Sequence, residues 1–206
     1  MSQYQPSAAD VKKLREITQA GMMDCKRALV EADGDMDKAV EILRTAGLAS
    51  VAKRAGRTAN EGVIDSYIHF NNRVGVLVEV NCETDFVANT DEFRTLTKDI
   101  CLHIASAKPR WISREDVPED VLEGERKIYE AWAKEQGKPE QALPKIVEGK
   151  VIAFFKDWVL LDQPFVKDDS KSIGDLVDET AAKVGEKIAI RRYSRFELGE
   201  EVEGVD

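Results

Sequence analysis

Histidine, cysteine and long apolar runs are what this chain has least of. Two histidines, His69 and His103, and three cysteines, Cys25, Cys82 and Cys101, occur in 206 residues. The histidines fall on different predicted elements, neither in a metal-ligand spacing nor beside a nucleophile motif, so no acid–base or metal chemistry is assembled in sequence. Cys82 has no adjacent base to make a thiolate, which leaves a thiol-dependent activity a distant reading. An odd number of cysteines without metal-type spacing, each inside a predicted element, points to buried thiols and no disulfide within a subunit. The phosphate loop Gly-x-x-x-x-Gly-Lys-Ser/Thr is missing, so the chain is not expected to bind a nucleotide in that mode. The expectation is a protein that is not an enzyme and takes no cofactor or metal. No apolar run approaches the roughly 18 residues that span a bilayer. The segment Met-Ser-Gln-Tyr-Gln-Pro-Ser lacks the basic and apolar regions of a secretory leader, and a cytoplasmic chain without a membrane partner is expected. Positive charge is also short: a net charge of −9 disfavours a nonspecific grip on nucleic acid.

With 43% apolar residues, the chain can bury a sizeable core. Ser7 and Asp10 form a variant capping box ahead of Val11, Leu14, Ile17 and Thr18, a helical pattern that Gly21 stops. Asp24 can cap a second helix with Cys25, Ala28, Leu29 and Ala32 inward, ended by Gly34; Asp35 can cap a third with Ala39, Ile42 and Leu43, ended by Gly47. From Leu48 to Asn60 the chain carries Lys53, Arg54 and Arg57 and no acid, a basic helical linker that either stays solvated or docks on an acidic surface. Two alternating runs, Gly62 to Phe70 and Val74 to Glu83, flank Asn71-Asn72-Arg73 and read as a hairpin with an asparagine at positive φ. Thr90 caps a helix with Phe93, Leu96, Ile100 and Ile104 inward, which Lys108-Pro109 ends. Pro118 opens a helix with Val121, Leu122, Ile128, Tyr129 and Trp132 on one side and Gly137 as its stop. A shorter helix is expected from Pro139 to Gly149, limited or bent by Pro144, and Val151 to Trp158 reads as core. Ser172 caps a helix ended by Gly185. The last run is a strand on which Ile188, Ile190, Arg192 and Ser194 alternate with Ala189, Arg191, Tyr193 and Arg195.

The fold class predicted is α+β: an N-terminal three-helix bundle of ubiquitin-associated type, then an antiparallel sheet packed with helices. The division expected is residues 1–50 as the bundle, 51–61 as the basic linker, 62–199 as the α+β core and dimerisation domain, and 200–206 as an acidic tail.

The chain is organised around Asn81-Cys82-Glu83-Thr84-Asp85-Phe86-Val87, where the strand hands over to a helix. Asp85 can bond to turn N–H groups or face a partner. Phe86 is either core or a ring presented outward. Thr84-Asp85-Phe86-Val87 after a valine-rich strand, with Gly21-Met22-Met23-Asp24-Cys25-Lys26, resembles the elongation factor Ts family of bacterial translation. The resemblance continues through His69, Asn72-Arg73-Val74-Gly75-Val76-Leu77, His103-Ile104-Ala105, Lys108-Pro109, Gln163-Pro164-Phe165-Val166 and Ile190-Arg191-Arg192 to Phe196-Glu197, in order over nearly the whole chain.

That resemblance implies a guanine-nucleotide exchange factor acting on elongation factor Tu. It implies Asp85 and Phe86 inserted near the magnesium and phosphate site, with Thr84, Val87, Val184, Gly185 and His69 at the partner surface. Arg15, Met22, Met23, Lys53 and Arg54 are the residues it matches in the bundle and linker. Longer family members carry two related copies of the core; here Ser66, His69, Arg73 and His103 are merged with Asp85 and Phe86 in one copy, which implies a homodimer through the sheet and the strand Lys187 to Glu197. The competing class is a protein-interaction scaffold with a ubiquitin-associated-like bundle.

Overall fold

The computed structural model describes residues 4–18 and 20–201. Its first helix, α1 (Ala8–Thr18), begins where expected: the Asp10 N–H donates to Ser7 Oγ at 3.1 Å, and the Ser7 hydroxyl donates to the Asp10 carboxylate at 2.6 Å. α2 (Met22–Glu31) starts earlier than expected, with Gly21 as its N-cap; Asp24 lies in the first turn and pairs with Arg27. Asp35 caps α3 (Met36–Arg54) as expected, accepting from the Lys38 N–H at 3.0 Å. Val11, Leu14, Cys25, Ala28, Leu29, Ala32 and Ala39 close a small core between the three helices.

Gly47 does not stop the third helix, since α3 runs Met36–Arg54 across the expected bundle-to-linker boundary. A Cβ at Gly47 would come within 3.3 Å of the Ala182 Cβ, so this glycine lets α3 lie close against a later helix. Helical propensity lost at a mid-helix glycine, about 1 kcal/mol, is offset by packing.

The hairpin of β1 (Glu61–Ile68) and β2 (Val74–Cys82) turns at Asn72, whose φ of 55° is the left-handed geometry asparagine tolerates. β2 is the centre of an antiparallel sheet, order β1-β2-β5, with β5 spanning Ala189–Glu197. After β2 comes the single turn α4 (Asp85–Ala88), then α5 (Asp91–Ala107), capped by Thr90 and ended by Lys108 at φ 51°. α5 lies across β1 and β2, and α8 (Ile173–Val184) packs against α5 and α3. Val76, Val78 and Val80 meet Phe93, Leu96, Ile100, Ile104, Ile173 and Val177 in the main core.

His103 is fully buried in this layer, and its role is structural. Nδ1 accepts the Val166 N–H at 3.3 Å, so Nε2 carries the proton toward Gln163 Oε1 at 3.0 Å; burial lowers its basicity, and the ring stays neutral. The Gln163 amide donates in turn to the carbonyls of Ala107 and Asp157.

Two antiparallel helices, α6 (Glu119–Glu135) and α7 (Leu143–Trp158), form an arm with its own core of Val117, Val151, Phe154, Phe155 and Val159. Pro144 begins α7 rather than limiting it, because the second position of a helix needs no donor, and the helix passes Gly149 without interruption. Ile128 and Trp132, expected on the apolar side of α6, are both exposed, and the buried position on that helix is Ala133. β3 (Pro164–Phe165) and β4 (Asp168–Ser172) form a small ribbon before the capping box of Ser172 and Asp175 that opens α8.

The last strand departs from strict alternation. Val80 pairs with Ile190 and Glu79 with Arg192, leaving Arg191 as the extra residue of a β-bulge. The bulge flips the parity: Ile188 and Ile190 are buried, and so, past it, Tyr193 and Arg195 turn inward, the Tyr193 hydroxyl donating to the Pro109 carbonyl at 2.7 Å. Arg192, Ser194 and Phe196 share the other face.

Candidate functional site

Glu83 to Ala88 take their shape from caps. Thr84 is extended at φ −132° and its hydroxyl accepts the Val87 N–H at 3.4 Å, which starts α4. Thr84, not Asp85, is therefore the cap. Successive helical residues point about 100° apart, so with Val87 and Ala88 buried, Asp85 and Phe86 face away from the core. Phe86 is 82% exposed, which rules out its reading as a core residue. Val87, expected at a partner surface, is instead packed in the main core.

Polar groups from two other segments hold this turn. Glu186 Oε2 accepts the N–H groups of Glu83 and Thr84, each at 3.0 Å, and Oε1 accepts the Thr84 hydroxyl at 2.7 Å. Glu83 Oε1 accepts the Lys187 N–H at 2.7 Å and a bond from Arg57 at 3.3 Å. The Lys187 N–H, then Arg57, hold the Glu83 carboxyl below its ordinary pKa despite some desolvation. The Lys187 ammonium donates to the carbonyls of Ala55 and Arg57 at 2.7 and 2.9 Å, so the end of the linker joins the same cluster. Behind it, the Cys82 thiol donates to the Thr84 carbonyl at 3.1 Å, and burial, with the Glu186 charge, pushes that thiol up to about 11. It is a buried protonated thiol at neutral pH, not a nucleophile.

The other expected positions fall into three places. Val184, half-buried, and Gly185, at φ 78°, end α8 beside the turn. Arg15, Met22 and Met23 are exposed on the bundle, and Lys53 is exposed at the end of α3, whereas Arg54 is half-buried and donates to the Ala181 carbonyl at 3.3 Å. His69 lies at the opposite end of the hairpin, its Nδ1 2.9 Å from the Tyr67 hydroxyl and its ring 4.4 Å from that of Phe70. The register from Glu61↔Cys82 to Ile68↔Gly75 puts roughly 23 Å of strand between it and the turn. Glu83 and Glu186 were not among the expected residues. Their only signal in the sequence was position, one before the Thr-Asp-Phe-Val motif and one after Gly185.

The elongation factor Ts family model matches residues 5–200. The chain belongs to this family. It is 59% identical over 197 residues to the elongation factor Ts of Thermoanaerobacter pseudethanolicus, covering 96% of this chain and 97% of that one. It is 57% identical over 197 residues to that of Caldanaerobacter subterraneus, covering 96% and 98%, and 59% identical over 190 residues to that of Carboxydothermus hydrogenoformans, covering 92% and 88%. Membership of the elongation factor Ts family makes this a protein of translation elongation, in a family of guanine-nucleotide exchange factors.

In this member of the elongation factor Ts family, the sheet face away from α5 is uncovered among the described residues and mixes apolar side chains with Ser66, Ser194 and the paired Glu79 and Arg192. Ile64, Ile68, Leu77 and Phe196 are exposed on it, Phe196 at 71%. Ile190 and Tyr193, on the strand expected at a subunit interface, lie on the covered face for the parity reason given above. Among the described residues no group of three or more His, Cys, Asp or Glu side chains could hold a metal ion. No helix among them is long and apolar enough to cross a membrane.

Proposed function

We propose that this chain is the exchange factor of elongation factor Tu, with Phe86 as the inserted ring and Asp85 beside it near the magnesium and phosphate site. The observation that carries the reading is an 82% exposed phenylalanine on a turn fixed by buried neighbours and carboxylates. Burying such a ring gives about 1.5–3 kcal/mol, which can offset distortion of a neighbouring phosphate site. Linkage sets the rest: if factor and GDP weaken each other's hold on the GTPase, they do so by one factor, about 1.4 kcal/mol for each tenfold. The chain makes and breaks no bond and acts in the cytoplasm. The exposed Met22, Met23 and Arg15 of a bundle of ubiquitin-associated type, with Lys53, supply a second contact on the GTPase domain.

The working unit in this reading is a homodimer closed through the open sheet face. Ile64, Ile68, Leu77 and Phe196 supply exposed apolar surface for an isologous interface. The interface also answers the distance between His69 and Phe86, because each GTPase would meet Phe86 of one subunit and part of the other subunit's core. The test is release of labelled GDP from elongation factor Tu with substoichiometric amounts of this protein. Multiple-turnover acceleration is expected, and release unchanged by the protein would refute the proposal.

A further inference from the structure

α4 is a single turn of four residues, far below the length at which a helix holds itself. Its own cap is long, at 3.4 Å from the Val87 nitrogen to the Thr84 hydroxyl. What fixes the turn comes from Glu186, 102 residues along the chain from Thr84. One carboxylate accepts three donors there, the N–H groups of Glu83 and Thr84 and the Thr84 hydroxyl, the ionised acceptor making these bonds stronger than neutral ones. The clasp is reciprocal. The Glu83 carboxylate takes the Lys187 N–H at 2.7 Å, so each strand of the crossing accepts from the backbone of the other. The Gly185 geometry at φ 78° delivers Glu186 to this place directly after α8, whose inner side is anchored in the main core by Ile173, Val177 and Ala181.

We propose that Glu186 is a positioning residue for exchange, fixing the Thr84 turn so that the Phe86 ring meets the GTPase already oriented. The inference rests on the exchange-factor reading and deepens it. With the clasp intact, the ordering cost of the turn is met during folding; without it, that cost falls on the insertion step. In the exchange-factor reading Arg15, Met22 and Met23 of the bundle supply a contact away from this turn, so losing the clasp should slow the maximal rate more than it weakens encounter. Glutamine at this position is a informative control. It keeps one oxygen for the two N–H groups and can turn its NH2 toward the Thr84 hydroxyl, which also accepts.

The experiment is release of fluorescent GDP from elongation factor Tu over a range of factor concentrations, using full-length E186A, E186Q and F86A. Thermal melting and amide exchange accompany it. In E186A the maximal rate should fall about tenfold or more with the half-saturating concentration shifted less than about threefold, while E186Q stays within about threefold of wild type. The Glu83 and Thr84 amides of E186A should exchange about tenfold faster or more, with those of Val78 and Ile100 unchanged. E186A releasing at the wild-type maximal rate while F86A is slow would overturn this inference alone. Equal losses in E186A and E186Q, with melting lowered in both, would overturn it in favour of a general structural role. Wild-type release by F86A would remove the inserted ring itself, and this inference with it.

Discussion

Phe86 and Phe196 are both exposed aromatic rings, but the regions that carry them are built in opposite ways. Phe86 stands alone on a one-turn helix, with Val87 and Ala88 buried behind it and Glu186 and Glu83 pinning its base. Phe196 lies on β5 opposite Gly75, in a surface shared with Leu77, Ile64 and Ile68. A solitary ring on a rigid mount is suited to entering a gap in a partner. A face with several exposed apolar side chains is suited to meeting its like, since its energy is spread over area and no single side chain has to be aimed. Exposure alone therefore does not define one kind of surface in this molecule; the support behind the ring does.

The largest expected effect separates the exposed ring from a buried one a few residues later. Phe93→Ala should cost about 3–5 kcal/mol in denaturant unfolding, whereas Phe86→Ala should leave stability within about 0.5 kcal/mol of wild type. A comparable loss from Phe86→Ala would mean that its ring is packed in solution. On the open sheet face, Phe196→Asp should convert dimer to monomer in sedimentation equilibrium at micromolar concentration with the far-UV spectrum unchanged. A wild-type chain that sediments at 23.0 kDa would remove the homodimer.

Smaller effects probe the supports of the two regions. Lys53→Glu should slow association with elongation factor Tu several-fold at low salt and less at high salt, as expected for an exposed charge within a Debye length of about 10 Å of an acidic surface. Salt-independent association equal to wild type would make Lys53 a solvated bystander. The Phe196 strand ends at Glu197, whose carboxyl is held down to about 2 by the Lys108 ammonium at 2.5 Å and the Arg195 guanidinium at 2.7 Å. A depressed carboxyl contributes stability that is present above its unfolded pKa, near 4.5, and lost as pH falls toward 2. Glu197→Gln should therefore flatten the acid limb of stability between those values slightly, and an unchanged acid limb would show the pair to be too solvated to matter.

Much of this architecture could be read from local chemistry. Ser7, Asp35, Thr90 and Ser172 cap the helices expected of them, Asn72 takes the left-handed turn, and Gly185 ends α8, because each signal acts within a few residues. The failures are of two kinds, a local signal overruled at a distance and an element boundary misplaced by a few residues. Gly47 looked like a stop and is a close approach to Ala182; Pro144 looked like a break and starts a helix. The bulge at Arg191 cannot be read from an unbroken alternation, which puts Ile190 and Tyr193 on opposite faces where the structure puts them on one. At the site, the Thr-Asp-Phe-Val motif marked the turn, but Glu186 depends on a contact across about half the chain, for which no sequence periodicity exists.

The central claim is that Phe86 is mounted to be inserted, and stopped-flow release of GDP from elongation factor Tu at saturating factor tests it most directly. Burial worth about 1.5–3 kcal/mol predicts that Phe86→Ala lowers the maximal release rate by about 10- to 150-fold, with melting and dimerisation unchanged. Release at the wild-type rate by a folded Phe86→Ala protein would contradict it.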